Sequence, residues 1–291
     1  MRVQVPPGWA RPSASAARAL GLLLVFLFVA PRAMGGPFNA LGHLPAEMTA
    51  WATAVDESLA GPVDIAQPGL GVANFGLPSL VLGASLTGGM AGAADVFSLG
   101  DGGFITLFFA EGIGDGIGND FAVFENGFVD QGSGLFFGEF AFVEVSTDGL
   151  DFARFPSTSL QAIPVSAFGV VDPSDYHNLA GDQMIGVGTG FDLRDLIEDP
   201  LVLDTTVELT DIRFVRIIDV VGDGSTLDQG GLPIFDPYAT AFASGGFDAE
   251  AVGVLHTAPE PDRALLLAVG VMALIGFARR RDPRSPCVSA G

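Results

Sequence analysis

The stretch Glu111-Gly112-Ile113-Gly114-Asp115-Gly116-Ile117-Gly118-Asn119-Asp120 interleaves glycines with oxygen-bearing side chains. Calcium takes about six to eight oxygens from carboxylates, amides and backbone carbonyls on a flexible loop, and glycines let carbonyls turn inward. Asp115, Asn119 and Asp120 would supply such oxygens. The spacing is not that of an EF-hand, and the repeated GGxGxD nonapeptide is absent, so a solvated turn is the competing reading. A second acidic run, Asp219 to Asp228 (DVVGDGSTLD), offers Asp219, Asp223 and Asp228 to a shared cation, with Asp236 and Asp248 further on. Calcium is therefore the one cofactor the residue types suggest.

Glu125 and Glu144 lie inside apolar, strand-like runs. A carboxylate facing inward is costly unless paired. Arg216, within FVRIID, is the natural partner because its guanidinium bonds a carboxylate bidentately. A structural ion pair is expected here, with a catalytic acid as the alternative.

Most enzyme constellations are missing. His43, His177 and His256 are scattered, without HExxH or a paired helical spacing, which argues against zinc. There is no GxSxG elbow, and no phosphate loop ending in GK[ST] is possible in a chain without lysine. A two-carboxylate glycosidase needs only acids that are neighbours in space, so it stays open. Sugar stacking favours Trp and Tyr, and the body between the chain ends has Trp51, Tyr176 and Tyr238.

The elements that must position these residues read as strands. Candidates are Asp95–Leu99, Phe104–Phe109, Asp120–Glu125, Glu139–Thr147, Phe152–Phe155, Val207–Val221 with a break, and Phe247–Leu255. They are short, rich in Phe, Val and Ile, and bounded by Gly and Asp turns. Ser146-Thr147-Asp148-Gly149 marks a hairpin turn and Glu125-Asn126-Gly127-Phe128 a second tight turn. His43–Leu59 is expected to hold one helix and Asp192–Ile197 one helical turn. No crossover helices of about 10 to 15 residues alternate with the strands, which argues against a parallel α/β sheet. The expected fold is all-β, an antiparallel two-sheet β-sandwich.

Length and charge frame this body. The chain has 291 residues, 49 % hydrophobic and 16 % charged, too apolar for a disordered chain. Residues 36–258 carry four arginines against 31 acids, a net charge of −27. Nucleic acid is excluded as the default partner, because phosphate binding needs a basic surface. Such a surface is soluble outside the cell and concentrates cations. The one cysteine, Cys287, lies in the C-terminal tail, so the body has no disulfide.

Both ends carry export features. Arg2, Arg11 and Arg18 precede a twelve-residue apolar run, Ala19 to Ala30, followed by Ala33-Met34-Gly35-Gly36. This is the layout of a secretory signal peptide over residues 1–35, implying export through the Sec translocon and a mature start near Gly36. At the other end Pro259-Glu260-Pro261 precedes the apolar Ala264–Ala278 and then Arg279-Arg280-Arg281. Fifteen residues make a helix of about 22 Å, short of a bilayer's hydrocarbon core of about 30 Å, and the flanking arginines can make up part of the difference by snorkelling. The basic cluster holds that end in the cytoplasm. Pro259 and Pro261 keep the tripeptide extended.

This C-terminal order resembles the PEP-CTERM sorting signal of bacterial exosortase substrates. The resemblance implies that a membrane-embedded cysteine transpeptidase-like enzyme reads the tripeptide and removes residues beyond it. The protein is then released or attached at the surface, often among exopolysaccharide. The tail after the arginines, Asp282–Gly291, departs from the usual pattern. In the body, DGGFITLFF, NDFAVFENGF, FAFVEVSTDGLDFARFP, FVRIIDVVGD and IFDPYATAFASGGFDAEAVGVL, in this order, resemble a family of secreted bacterial cell-surface proteins. VEVSTDGLDF and IRFVRI are similar to strands of discoidin-like and galactose-binding-like jelly rolls. The resemblance implies a jelly roll but supplies no activity. The expected function is a structural or adhesive surface or matrix protein without catalysis. A calcium-assisted carbohydrate-binding module and a glycoside-active enzyme are the alternatives, with extracellular polysaccharide as the partner in either.

Overall fold

The computed structural model describes residues 36–38, 41–85, 95–130, 132 and 135–259. The signal-peptide segment, Glu260, Pro261, the apolar C-terminal segment, Arg279, Arg280 and Arg281 lie outside the described residues. Among the described residues no helix is long and apolar enough to cross a membrane.

The chain opens with β1 (Gly42–His43), β2 (Ala50–Trp51), β3 (Ala54–Leu59) and β4 (Phe97–Ser98). The apolar runs form β5 (Phe104–Ile113) and β6 (Phe121–Glu125). A small hairpin, β7 (Phe128–Val129) and β8 (Phe136–Phe137), precedes β9 (Ala141–Ser146) and β10 (Ala153–Arg154). β11 (Thr158–Ser159) pairs with β12 (Tyr176–His177), and β13 (Gly188–Phe191) leads to a single α-helical turn, α1 (Pro200–Leu203). β14 (Ile212–Asp219), β15 (Asp223–Leu227), β16 (Pro233–Phe235) and β17 (Asp248–Val254) complete the fold.

Two antiparallel sheets dominate. One has the order β1-β13-β6-β17-β2, with β4 also on β17; the other runs β10-β9-β14-β5-β3. β14 approaches the alternation of a half-buried strand, while β6, β9 and β17 are buried at every position. Ile105, Leu107 and Phe109 of β5 join Val143 and Val145 of β9 and Val215 and Ile217 of β14 in one apolar core. The first sheet contributes Phe121 and Val123 of β6, Phe191 of β13, and Val252 and Val254 of β17 to the same core. The fold is all-β and sandwich-like, with several antiparallel sheets.

The helix expected over His43–Leu59 does not form. That stretch is a single 3-10 turn, Pro45–Glu47, followed by β2 and β3. Pairing of β3 with β5, Val55 opposite Leu107 and Leu59 opposite Phe104, overrides the local helix preference of Ala, Met and Glu. The turn at Asp192–Ile197 is a 3-10 turn, Leu193–Leu196, capped by the Asp192 carboxylate on Arg194 N. Asp148-Gly149 closes the β9–β10 hairpin, where Gly149 takes φ +79°. The turn at Asn126-Gly127 is a corner instead, since β6 pairs with β13 and β17 and not with β7.

Candidate functional site

The outer face of the second sheet carries a polar ladder. Arg216 on β14 stands opposite Glu144 on β9 and Thr106 on β5. Arg216 Nη1 lies 3.7 Å from Glu144 Oε2, its Nε donates to Thr106 Oγ1 at 3.0 Å, and its guanidinium stacks 3.7 Å from the Phe152 ring centre. Arg154 binds Glu144 more closely, at 2.7 Å. The ion pair expected between Glu144 and Arg216 is therefore part of a two-arginine clamp. Glu125 does not join it. It sits in β6, in the other sheet, where it accepts a hydrogen bond from Gly127 N. Burial, then the neighbouring Asp248, push its carboxyl well above the usual range.

The glycine-rich stretch begins as strand, because β5 continues through Gly112 to Ile113. Gly112 takes φ +72° at a bulge opposite Ile212 and Phe214. Beyond it, oxygens of Asp115, Asp120 and Asp192 all fall within 4.8 Å of one another. Asn119 turns aside, its Nδ2 2.9 Å from His43 Nε2. Asp120 is fully buried and well supplied. It accepts from Gly116 N at 2.6 Å and Leu193 N at 2.8 Å, and His256 Nδ1 is 3.0 Å away. Arg194 Nε approaches Asp115 at 3.4 Å. Burial raises the Asp120 carboxyl, opposed by those hydrogen bonds.

The second acidic run divides. Asp228 belongs to the β15–β16 hairpin, accepting from Ser159 N at 3.0 Å and Leu232 N at 2.8 Å. Asp219, at the end of β14, instead lines a small void, too tight to hold a water molecule, with Asp101, Glu139, Asp236, Tyr238 and Thr240. Asp223 is exposed and bonds Ser225 N at 2.7 Å, close enough to raise the carboxyls of Asp101 and Asp236. Backbone donors hold the void's acids: Ile65 N on Asp101, Gly102 N and Phe247 N on Asp219, and Phe140 N on Asp236. Gly222 must lack a side chain, because a Cβ there would overlap the Asp236 carboxylate. Burial first, and then mutual repulsion, push Glu139, Asp219 and Asp236 well above the usual carboxylate range. Glu139 Oε1 is buried with no hydrogen-bond partner. The Tyr238 hydroxyl donates to Asp64 at 3.0 Å, and burial together with that carboxylate pushes it up to about 12.

Glu139 also faces a second, larger space. A groove of about 700 Å³ is lined by Phe128, Phe137, Phe168 and Phe242 together with Glu139, Asp248 and Asn126. Phe128 stacks on Phe137 with ring centres 4.9 Å apart, and Phe168 on Phe242 at 6.1 Å. Phe168 is 77 % exposed. Asp248, at the start of β17, accepts from Ser98 Oγ and, at 2.8 Å, from Asn126 Nδ2; burial lifts its carboxyl to about 6.

Among these residues the sequence singles out Asp219, Asp223, Asp236, Asp248 and Tyr238, and it does not reveal the parts played by Asp101, Glu139 and the four phenylalanines. Asp101 carried a local signal, its turn sequence Gly100-Asp101-Gly102-Gly103. The two other candidate stacking residues are packed: Tyr176 is buried against Phe140, and Trp51 packs on Phe124. No protein-family model matches the chain, and no curated protein matches it.

Proposed function

We propose that this is an exported bacterial cell-surface or extracellular-matrix protein with a structural or adhesive, non-enzymatic role, sorted by an exosortase. In this reading the body is a jelly roll of the galactose-binding-like kind, the first 35 residues direct export through the Sec translocon, and the segment after residue 261 is a transient membrane helix.

One observation carries the sorting reading. The body's hydrogen bonding closes at Ala258, whose N–H donates to Gly112 O at 3.2 Å, and the next residue, Pro259, is exposed. A protease reading Pro259-Glu260-Pro261 would meet an accessible segment, and cutting there would take nothing from the core. The test replaces Pro259 and Pro261 by Ala in a host that makes an exosortase. An unprocessed, membrane-retained form is expected; unchanged processing would contradict the reading.

A second reading, calcium-assisted glycan binding, draws on the convergence of Asp115, Asp120 and Asp192. A bound ion at about 100 times its dissociation constant adds about 2.7 kcal/mol, a rise of several degrees in a thermal melt. A rise specific to calcium over sodium, with calcium-dependent signals on a glycan array, would favour it. Their absence would leave the passive structural role.

A further inference from the structure

We propose that the phenylalanine-lined groove is a binding site for an organic ammonium ion, held by the faces of Phe128, Phe137, Phe168 and Phe242 and by the carboxylates of Glu139 and Asp248. The inference does not depend on the sorting reading.

Charge accounting comes first. The body has no lysine and four arginines. All four are engaged elsewhere: Arg154 and Arg216 on Glu144, Arg194 on Asp115, Arg213 on Asp211. His43 is paired with Glu47, His256 with Asp120, and His177 stacks on Phe38. The groove thus holds two nearly buried acids and no basic side chain of its own. Glu139, only 6 % exposed, keeps one oxygen without any partner. No side chain of the groove compensates these acids when they are ionised, so they either keep a proton, as their burial favours, or take a cation from outside the chain.

The walls select the kind of cation. Phenyl faces attract cations through their quadrupole, most strongly when the cation is desolvated, and quaternary ammonium ions are bound this way in aromatic cages. A metal ion wants an oxygen shell, which four phenyl rings do not offer. Among the described residues the carboxylates converging at metal-binding distance are Asp115, Asp120 and Asp192, not Glu139 and Asp248. A neutral sugar would look for a row of hydroxyl and amide partners, and the neutral polar side chains of this groove are Ser244 and Asn126, the latter already donating to Asp248. The groove's volume of about 700 Å³ suits a small organic molecule or the end of a long side chain.

The experiment titrates the full chain, held in a nonionic detergent, with choline chloride. The control is dimethylbutanol, the uncharged carbon isostere of choline, at matched ionic strength. Choline is expected to bind about tenfold more tightly than the isostere. Glu139→Gln and Phe168→Ala are each expected to weaken choline severalfold while the thermal transition stays cooperative. Phe168 is so exposed that its replacement keeps the test open if the Glu139 variant misfolds. A second arm with N-acetyl-lysine methylamide separates a lysine side chain from a quaternary headgroup; saturable binding of either supports the site. Equal binding of the isostere, no binding of any ammonium probe, or choline binding untouched by Phe168→Ala would each overturn it. Displacement of choline by calcium at fixed ionic strength would reassign the acids to a metal and also overturn it.

Discussion

The loop around Asp120 and the void around Asp219 are both acidic, yet they handle their charge in opposite ways. Asp120 accepts from two backbone N–H groups, with an imidazole on one of the same oxygens, and Arg194 leans on its neighbour Asp115. Its carboxylate is a structural acceptor that ties the loop after β5 to the 3-10 turn at Leu193–Leu196. Around the void, Asp101, Glu139, Asp219 and Asp236 repel one another with only backbone N–H groups and the Thr240 hydroxyl in opposition. The number of acids in a region therefore says little; Asp219 also accepts two backbone N–H groups, and what distinguishes the Asp120 loop is the imidazole beside Asp120 and the arginine on Asp115.

The largest test of this contrast is pH. Asp248 is lifted from 3.8 to about 6, as is Asp182, a buried acid before β13 that accepts from Thr189 Oγ1 at 2.6 Å, and Glu125, Glu139, Asp219 and Asp236 are also raised well above their usual values. A raised carboxyl keeps its proton in the fold where the unfolded chain has lost it, so the folded state binds more protons over that window. The stabilisation is full below the unfolded value and is lost as pH rises through the folded one. A carboxyl moved from 3.8 to about 6 contributes on the order of 3 kcal/mol. Chemical denaturation is expected to find the protein more stable near ~pH 5 than near ~pH 8, by several kcal/mol. A flat or rising profile would mean that the void's acids are compensated as well as Asp120 is.

Single substitutions sharpen the same comparison. Asp120→Ala strands the buried Leu193 N–H and the half-buried Gly116 N–H and should cost on the order of 2 kcal/mol in denaturant melts. Asp236→Asn keeps an oxygen for Phe140 N while removing a repelled charge, and should raise stability near ~pH 8 by about 1 kcal/mol. A destabilised Asp236→Asn protein would show that the ionised carboxylate is needed, as an external cation would require. The smallest effect belongs to the surface clamp. Arg154 is nearly half exposed, and Arg154→Ala should cost less than about 1 kcal/mol, measured at low and high salt.

Much of the fold was legible. Phe104–Phe109, Glu139–Thr147 and Phe247–Leu255 announce β5, β9 and β17 because apolar side chains sit at strand spacing between Gly and Asp turns. β13 is hidden, since Gly188-Thr189-Gly190-Phe191 has one large apolar residue to reveal it. The helix read into His43–Leu59 shows the limit of local preference where an edge strand is fixed by its partner. The site was less readable. Asp115 and Asp120 do converge, and they share a short loop, but their third member, Asp192, is more than seventy residues away. The void and the groove gather residues from the turn before β5, the β7–β8 hairpin, the ends of β14 and β16, and the loop before β17. Only the sheet order brings those segments together.

The closing contact at Ala258 also decides how the molecule would bear a load. Any pull on residue 259 reaches β17, which is hydrogen-bonded to β6 on one side and to β2 and β4 on the other. An interior strand loaded along its length has to break these ladders together, in shear. An edge strand loaded the same way would have only one ladder to hold it. Forced detachment is governed by the unfolding barrier and not by the equilibrium stability. A body held from this end would thus resist drag with the best-connected strand of its first sheet.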